Sequence, residues 1–265
     1  MSSSQRPRFT VVTICRNDLE GLRSTWDSVK TQTHAELEWV VVDGASSDGT
    51  LDWLEALNDE RVTWRSEPDA GIYDAMNKGI DRTRGEIVVF LNSADRFAGP
   101  QTLSFVDFHQ QSSHWSWAVG TMNVVSTDGR VIDTSGPNVF RPWSLRMGYQ
   151  SLGHQAAYFT ADMVRSLGHY RVQFGVEADQ EFMIRALDLD PPNVLHAVVA
   201  IALAGGVSFG GTPDAFVLRA REIRRDHQTL LGGNPFIDSL ATDLLRAEKR
   251  VRHRLWRMRG GRLSA

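Results

Sequence analysis

The 265-residue sequence has one cysteine, Cys15, so no disulfide can close within the chain and a reducing compartment is expected. It has no excess of positive charge. Its 29 Lys and Arg against 32 Asp and Glu give −3, which argues against a domain built chiefly to hold nucleic acid. It has no apolar run long enough to span a bilayer; the longest, Val194 to Val207, is interrupted by His196 and by Gly205-Gly206. Met1 to Arg8 is polar and lacks the apolar core of a signal peptide, so the expectation is a cytoplasmic protein. The common phosphate-binding loops are missing too: no Gly-x-Gly-x-x-Gly follows the first strand-like run, and no Walker-type loop occurs. No internal repeat is found.

What remains is an ordinary globular composition, 42% hydrophobic and 23% charged, with enough apolar residues for a large core. The first half alternates strand-like and helix-like segments. Phe9 to Cys15, Leu37 to Val42, Val62 to Ser66 and Glu86 to Leu91 read as strands. Leu19 to Lys30, Thr50 to Leu57 and Tyr73 to Arg82 read as helices between them, with Asn17 and Asp18 placed to cap the first. Apolar strands joined by helical crossovers predict an α/β fold with a mainly parallel sheet covered on both faces. Ligands of such sheets bind beyond the carboxyl ends of the strands. Here those ends are Cys15-Arg16-Asn17, Asp43-Gly44, Glu67-Pro68-Asp69 and Asn92-Ser93-Ala94-Asp95, and three of the four carry a carboxylate. Further along, Trp117 to Met122, Gly129 to Asp133 and Gln155 to Phe159 are short strand candidates, Glu177 to Leu187 is helical, and Gly205 to Pro213 is a glycine-rich loop.

Carboxylates at strand ends can accept hydrogen bonds from a base or a ribose, and can hold a divalent cation that neutralises phosphates they would otherwise repel. Three stretches sharpen this. They are Val40-Val41-Val42-Asp43-Gly44-Ala45-Ser46-Ser47-Asp48-Gly49-Thr50, then Glu67-Pro68-Asp69-Ala70-Gly71-Ile72-Tyr73-Asp74-Ala75-Met76-Asn77-Lys78-Gly79, and Phe90-Leu91-Asn92-Ser93-Ala94-Asp95. Together they resemble the donor half of family 2 glycosyltransferases, which have the GT-A fold. The second is similar to a subgroup acting in bacterial exopolysaccharide and mycobacterial-type glycolipid assembly. Gly153-His154-Gln155-Ala156 and Ala178-Asp179-Gln180-Glu181-Phe182 extend the likeness to about Phe209.

The resemblance implies an inverting transfer from a nucleotide-diphosphate sugar, a UDP-sugar by family precedent, to a hydroxyl of a glycan, a glycolipid or another lipid-linked acceptor. By the same resemblance Asp43 takes a hydrogen bond from the base, Cys15 lines the same pocket, and Asp69 lies near base and ribose. Asp95 occupies the last position of the family's Asp-x-Asp element, where Mn²⁺ or Mg²⁺ meets the diphosphate, and Asp179 stands where the family places its general base. A base suits the chemistry, because an acceptor hydroxyl must lose its proton as it attacks the anomeric carbon. One departure concerns the metal: the element reads Asn92-Ser93-Ala94-Asp95, one carboxylate short, which weakens a hard-cation site. His154 and His227 are candidate extra ligands or diphosphate contacts, against the commoner structural role of a lone histidine.

Plainer readings stand beside these. Asp48 reads as a turn or cap residue. Asp74 and Asn77 either touch substrate or hold the start of their helix, and Gln155 either meets the acceptor or braces a loop. Asp179 and Glu181 on one helix would ordinarily face solvent. Trp115, Trp117 and Trp143 either stack on sugar rings or fill the core. The division expected is residues 1–120 for the donor half, 121–233 for the acceptor and catalytic-base half, and 234–265 for a basic amphipathic helical tail. From Arg246 to Arg262 eight Lys and Arg face one Glu, a local +7 that leaves −10 for the rest. Apolar Ile237, Leu240, Leu244, Val251, Leu255 and Met258 make one helical stripe there. The stripe is expected to pack on the body, with contact of residues 237–262 to an anionic membrane surface or a homodimer as the alternatives. Two rival functions are a sugar nucleotidyltransferase, which would need a basic Gly-rich loop where Arg16-Asn17-Asp18-Leu19-Glu20-Gly21 stands, and a non-catalytic relative that binds nucleotide or glycan and scaffolds an assembly through the tail.

Overall fold

The computed structural model describes residues 6–137, 139–205 and 215–258, without the side chains of 215–216, 252–253 and 255–258. The first half alternates strand and helix: β1 (Phe9–Cys15), α1 (Leu19–Lys30), β2 (Leu37–Asp43), α2 (Thr50–Ala56), β3 (Val62–Ser66), α3 (Ile72–Ile80) and β4 (Ile87–Phe90). Both β1 and β2 are buried along their whole length, which is why they read as largely apolar runs; buried Glu38 is paired with Thr10 and Arg84. Helix α1 starts where the Asp18 carboxylate accepts the Gly21 N–H at 3.1 Å, and it buries Leu22, Trp26 and Val29. Each such side chain contributes roughly 1.5–3 kcal/mol. Helix α3 lies so close to the sheet that a side chain at Gly79 would strike Val12.

The second half adds β5 (Arg96–Phe97), α4 (Thr102–Ser113), β6 (Trp117–Val125), β7 (Val131–Ser135), α5 (Pro142–Arg146), β8 (Ala157–Thr160), α6 (Ala161–Leu167), α7 (Ala178–Leu189), β9 (Asn193–Leu203), α8 (Ala215–Asp226) and α9 (Pro235–Met258). Short 3₁₀ turns precede β8 (His154–Ala156) and α7 (Val172–Glu177). All strands join one sheet in the order β3-β2-β1-β4-β8-β6-β9-β5, with β7 hairpinned onto β6. The block β3-β2-β1-β4 is parallel; β8 then runs antiparallel between β4 and β6, and β9 returns parallel to β6. The two halves of the chain therefore share one continuous sheet. One face is covered by α1 and α4 through Trp26, Leu103 and Val106, the other by α3, α6 and α7 through Met76, Val164 and Phe182.

The longest apolar run of the sequence is β9, a strand of the second half of the chain, and its Gly-rich continuation lies outside the described residues from Gly206 on. Among the described residues no helix is long and apolar enough to cross a membrane. The tail corrects the sequence reading. Helix α9 meets the body through Asp238 and Thr242, both fully buried, while Ile237, Leu240, Leu244 and Val251 are exposed. The expected stripe therefore points away from the body; the side chains of Leu255 and Met258 lie outside the described set. A buried ion pair to Arg224 fixes this orientation in place of apolar packing.

Candidate active site

The carboxyl ends of the parallel strands open onto one edge of the sheet. Just past β1, β2 and β4 stand three non-glycine residues with left-handed backbone: Asn17 (φ 52°), Ala45 (φ 58°) and Ala94 (φ 72°). Such conformations are costly for residues with a Cβ and gather where a site over-determines the backbone. Here they turn the chain sharply at three neighbouring strand ends of the sheet.

Asp43 ends β2, wholly buried. Its carboxylate accepts the Ser46 N–H at 2.9 Å and the Ser66 hydroxyl at 2.7 Å, and the Ser46 hydroxyl bonds its other oxygen. Three donors use three of about four acceptor positions, so the carboxylate is rigidly aimed and keeps capacity for one more. Asp69 leans over the next residue: Gly44 has no side chain, and a Cβ there would collide with the Asp69 carboxylate. Asp69 is itself held by the Gly71 N–H at 3.0 Å. Cys15, at the end of β1, is buried, and burial pushes its thiol up to about 11, so it is a packing group and not a nucleophile.

A second cluster forms where β4 and the turn before β8 meet α7. His154 Nδ1 lies 3.1 Å from an Asp179 carboxylate oxygen, and its Nε2 lies 3.2 Å from the Asn92 amide nitrogen. An amide nitrogen only donates and a carboxylate only accepts. With these partners Nδ1 directs its proton at Asp179 and Nε2 faces the Asn92 amide. Next to it the Gln155 amide donates to Asp95 at 2.9 Å. Asp95 is buried without an ion-pair partner among the described residues, and burial first of all raises its carboxyl to about 6, against the lowering effects of Gln155 and His154.

Asp179 sits in the first turn of α7, where the helix dipole favours a carboxylate. The next residue locks that turn: the Gln180 amide donates to the Leu152 carbonyl at 2.7 Å and accepts the Leu152 N–H at 3.4 Å. Its neighbour Glu181 is buried and committed elsewhere, to Arg185 at 2.8 Å and His227 at 2.9 Å. Asp179 is thus the acidic residue of this helix turn that faces the cluster, and His227 belongs to the Glu181 ion network and not to the diphosphate region. Glu177, just upstream, is raised to about 7, by burial and then by the charge of Asp179.

The remaining predicted residues divide clearly. Asp74 accepts the Ala70 N–H at 3.0 Å and pairs with Lys78 at 3.1 Å, bracing the loop that carries Asp69. Asn77 commits both ends of its amide to the Tyr170 backbone, at 3.0 and 2.7 Å. Asp48 caps α2, accepting from Thr50 and from the Leu19 N–H. Trp115 and Trp117 are core residues, whereas Trp143 is half exposed and pairs with the Tyr149 ring. The sequence reading missed three groups near Asp179. These are the Asn92 amide as a partner of His154, Tyr73, whose hydroxyl donates to the Val176 carbonyl at 2.9 Å, and Glu177. Tyr73 was visible inside the Gly71-Ile72-Tyr73-Asp74 stretch; Glu177 had no local signal.

A divalent cation can be tested against these groups. Asn92 Oδ1 is buried with no hydrogen-bond partner among the described residues, on the residue three before Asp95. A carboxylate lacking a counter-charge and an orphaned amide oxygen are both hard donors of the kind Mg²⁺ and Mn²⁺ take, with waters or substrate oxygens completing the shell. The residues fit a cation held by one carboxylate. Among the described residues there is no group of three or more His, Cys, Asp or Glu suited to a metal, so no fuller protein cage exists there.

Residues 10–140 match the family model described as "Glycosyl transferase family 2". The chain is 37% identical over 213 residues to an uncharacterized glycosyltransferase of Mycobacterium tuberculosis, Rv1514c, covering 79% of this chain and 80% of the relative. It is 27% identical over 237 residues to the PGL/p-HBAD biosynthesis glycosyltransferase Rv2957 of the same species, covering 85% and 87%. The fold resembles Staphylococcus aureus TarS 1–349 in complex with UDP-GlcNAc, with a TM-score of 0.68, 20% identity, and coverage of 93% of this chain and 72% of TarS. It also resembles the mannosyltransferase PcManGT of Pyrobaculum calidifontis in complex with GDP-Man and Mn²⁺, with a TM-score of 0.55, 21% identity, and coverage of 84% and 64%. With its parallel N-terminal sheet, its carboxylates at the strand ends and this relationship over four-fifths of its length, the chain belongs to glycosyltransferase family 2.

Proposed function

We propose that this glycosyltransferase inverts configuration, moving a sugar from a UDP-sugar to a hydroxyl of a glycan or lipid-carried acceptor with Asp179 as general base. The observation that carries the reading is the line Asn92–His154–Asp179 beside Asp95–Gln155, at the strand edge that also holds Asp43 and Asp69. In the step, the acceptor oxygen forms a bond to the anomeric carbon and the bond from that carbon to the diphosphate oxygen breaks. The hydroxyl proton passes to an Asp179 oxygen, and the nucleoside diphosphate leaves with the bonding electron pair. His154 donates to one Asp179 oxygen and the Gln180 N–H to the other at 2.7 Å, which fixes the carboxylate; a lone pair not used by these two donors takes the acceptor proton. Asp43 and Asp69 supply acceptors for base and ribose. Asp95 and Asn92 Oδ1 would hold a divalent cation, which when bound stabilises negative charge on the leaving diphosphate. Residues 1–120 then form the donor half and 121–233 the acceptor half. The single buried cysteine suits a cytoplasmic setting.

The relatives supply support of a coarser kind: one is named for PGL/p-HBAD biosynthesis, and the fold neighbours were solved with UDP-GlcNAc and GDP-Man. The test is Asp179→Asn. Transfer should fall by at least about a hundredfold, the usual worth of a positioned base, while UDP binding measured by calorimetry stays unchanged. Transfer near the parental rate would remove the base assignment. The non-catalytic reading draws on the single carboxylate of the metal element, and titration with UDP, GDP and dTDP in Mn²⁺ or EDTA separates the two. Nucleotide binding without turnover of any sugar donor would favour it.

A further inference from the structure

Helix α9 is amphipathic in the wrong sense for a helix that closes a core. Its body-facing side is polar: the Arg224 guanidinium bonds both Asp238 oxygens, at 2.7 and 3.1 Å, and the Thr242 hydroxyl at 3.0 Å, all buried. At 3.6 residues per turn, Phe236, Leu240, Leu244 and Val251 fall on the opposite side of the cylinder. All four are exposed, Leu240 by 55%, Leu244 by 65% and Val251 by 56%, with Ile237 on the margin. The strip runs for about 22 Å along the helix. Exposed Arg250 and Arg254 stand along one margin of it, within the stretch that carries a local +7.

We propose that the outward face of α9 docks on an anionic lipid bilayer, lying in the interface with its apolar strip among the acyl chains and its arginines at the head groups. The charge decides the occupant. A second copy of the chain would offer apolar surface to the strip, but it would bring another basic stretch of the same sign. An anionic bilayer answers both features at once: an apolar layer for the strip and a negative surface for the arginines. The rigid Arg224–Asp238 anchor makes the helix a fixed keel that transmits the attachment to the body. It also sets where the body sits. Lys249 of α9 faces Glu177, two residues before Asp179, and Tyr149, whose ring lies tilted beside Trp143, has its hydroxyl 3.5 Å from Glu248. Docking through α9 thus holds the catalytic cluster beside the bilayer. The docking surface stands on the helix alone; that it serves a lipid-carried acceptor rests on the transferase reading.

The test is co-sedimentation of the full chain with vesicles of phosphatidylcholine, with and without phosphatidylglycerol, alongside light scattering for mass. The chain should bind the anionic vesicles and not the neutral ones, and binding should weaken as salt rises from about 0.1 to 1 M and the Debye length falls from about 10 to 3 Å. Leu240→Glu with Leu244→Glu, and separately Arg250→Glu with Arg254→Glu, should each reduce binding at least about tenfold. Both pairs are exposed, so circular dichroism and UDP affinity should match the parent. Absence of vesicle binding, or binding unchanged in the variants, overturns the proposal. So does a dimer that the leucine variant dissociates, which would assign the strip to a second copy. Vesicle binding by a chain that takes no nucleotide would leave the docking surface standing and remove the transferase reading instead.

Discussion

Replacing Asp238 by alanine strikes the joint on which α9 hangs. Arg224 and Asp238 have side chains 2% and 0% exposed, and two hydrogen bonds link them, with Arg221 adding a 3.5 Å contact to the same carboxylate. Truncation leaves the Arg224 guanidinium buried with only the Thr242 hydroxyl and the Arg146 carbonyl, and takes the acceptor from the Leu231 N–H. Removing one member of a buried pair costs about 3–5 kcal/mol, because the survivor stays desolvated and unpaired. With an unfolding entropy of about 0.56 kcal/mol/K for a chain of this size, a 3 kcal/mol loss lowers Tm by about 5 °C. The penalty has a ceiling, since α9 can peel away and hydrate Arg224, and then the loss equals the docking energy of the helix. Thermal denaturation gives the first number, and hydrogen exchange across 235–250 against the central strands distinguishes global from local loss. The joint change Arg224→Met with Asp238→Leu should recover most of the stability, as apolar replacements of buried pairs commonly do. The sign with pH follows. Burial works to raise the Asp238 carboxyl, but the bonds and charge of Arg224 outweigh it and the net shift is downward. The pair therefore stabilises fully above the ordinary carboxylate range and is lost as pH falls below about 4. A Tm change under 1 °C in Asp238→Ala, with exchange unchanged, would refute the reasoning.

Glu177 runs the opposite way. Its folded-state carboxyl is raised from 4.5 to about 7, so the fold binds the proton more tightly than the unfolded chain, and stability falls as pH rises between those values. After discounting for solvent screening, Glu177→Gln should gain about 1 kcal/mol above pH 7 and nothing below pH 4.5, read from Tm against pH. Asn92→Asp restores the second carboxylate of the family's metal element, yet it sets an acceptor against His154 Nε2 where the amide now donates. Mn²⁺ affinity should rise while transfer falls by about tenfold, the two being separated by calorimetry and turnover; transfer that rises with affinity would show that the His154 arrangement does not matter.

Sequence by itself determined the fold of the N-terminal half of this protein. The runs of β1 and β2 alternate with the helical spacing of α1 and α3, and each period is a local property that survives in the structure to within a residue or two at most ends. The carboxylates at the strand ends were legible for the same reason, since a parallel sheet puts every such end on one edge. Local pattern did not reach the second half of the chain. Strand β9 looked like an interrupted apolar run, and α4, α6 and α8 lacked strong signals, because their faces are completed by residues far away in the chain. Asn92 meets His154 across 62 positions, and His154 meets Asp179 across 25. No spacing rule predicts such contacts; the crossing of β4, β8 and α7 makes them. The tail shows the same division. Periodicity established that α9 has an apolar stripe, but a stripe does not say which side the body takes. That was decided by one buried ion pair, Arg224 and Asp238, whose charges would otherwise be buried uncompensated, and it turned the apolar face outward.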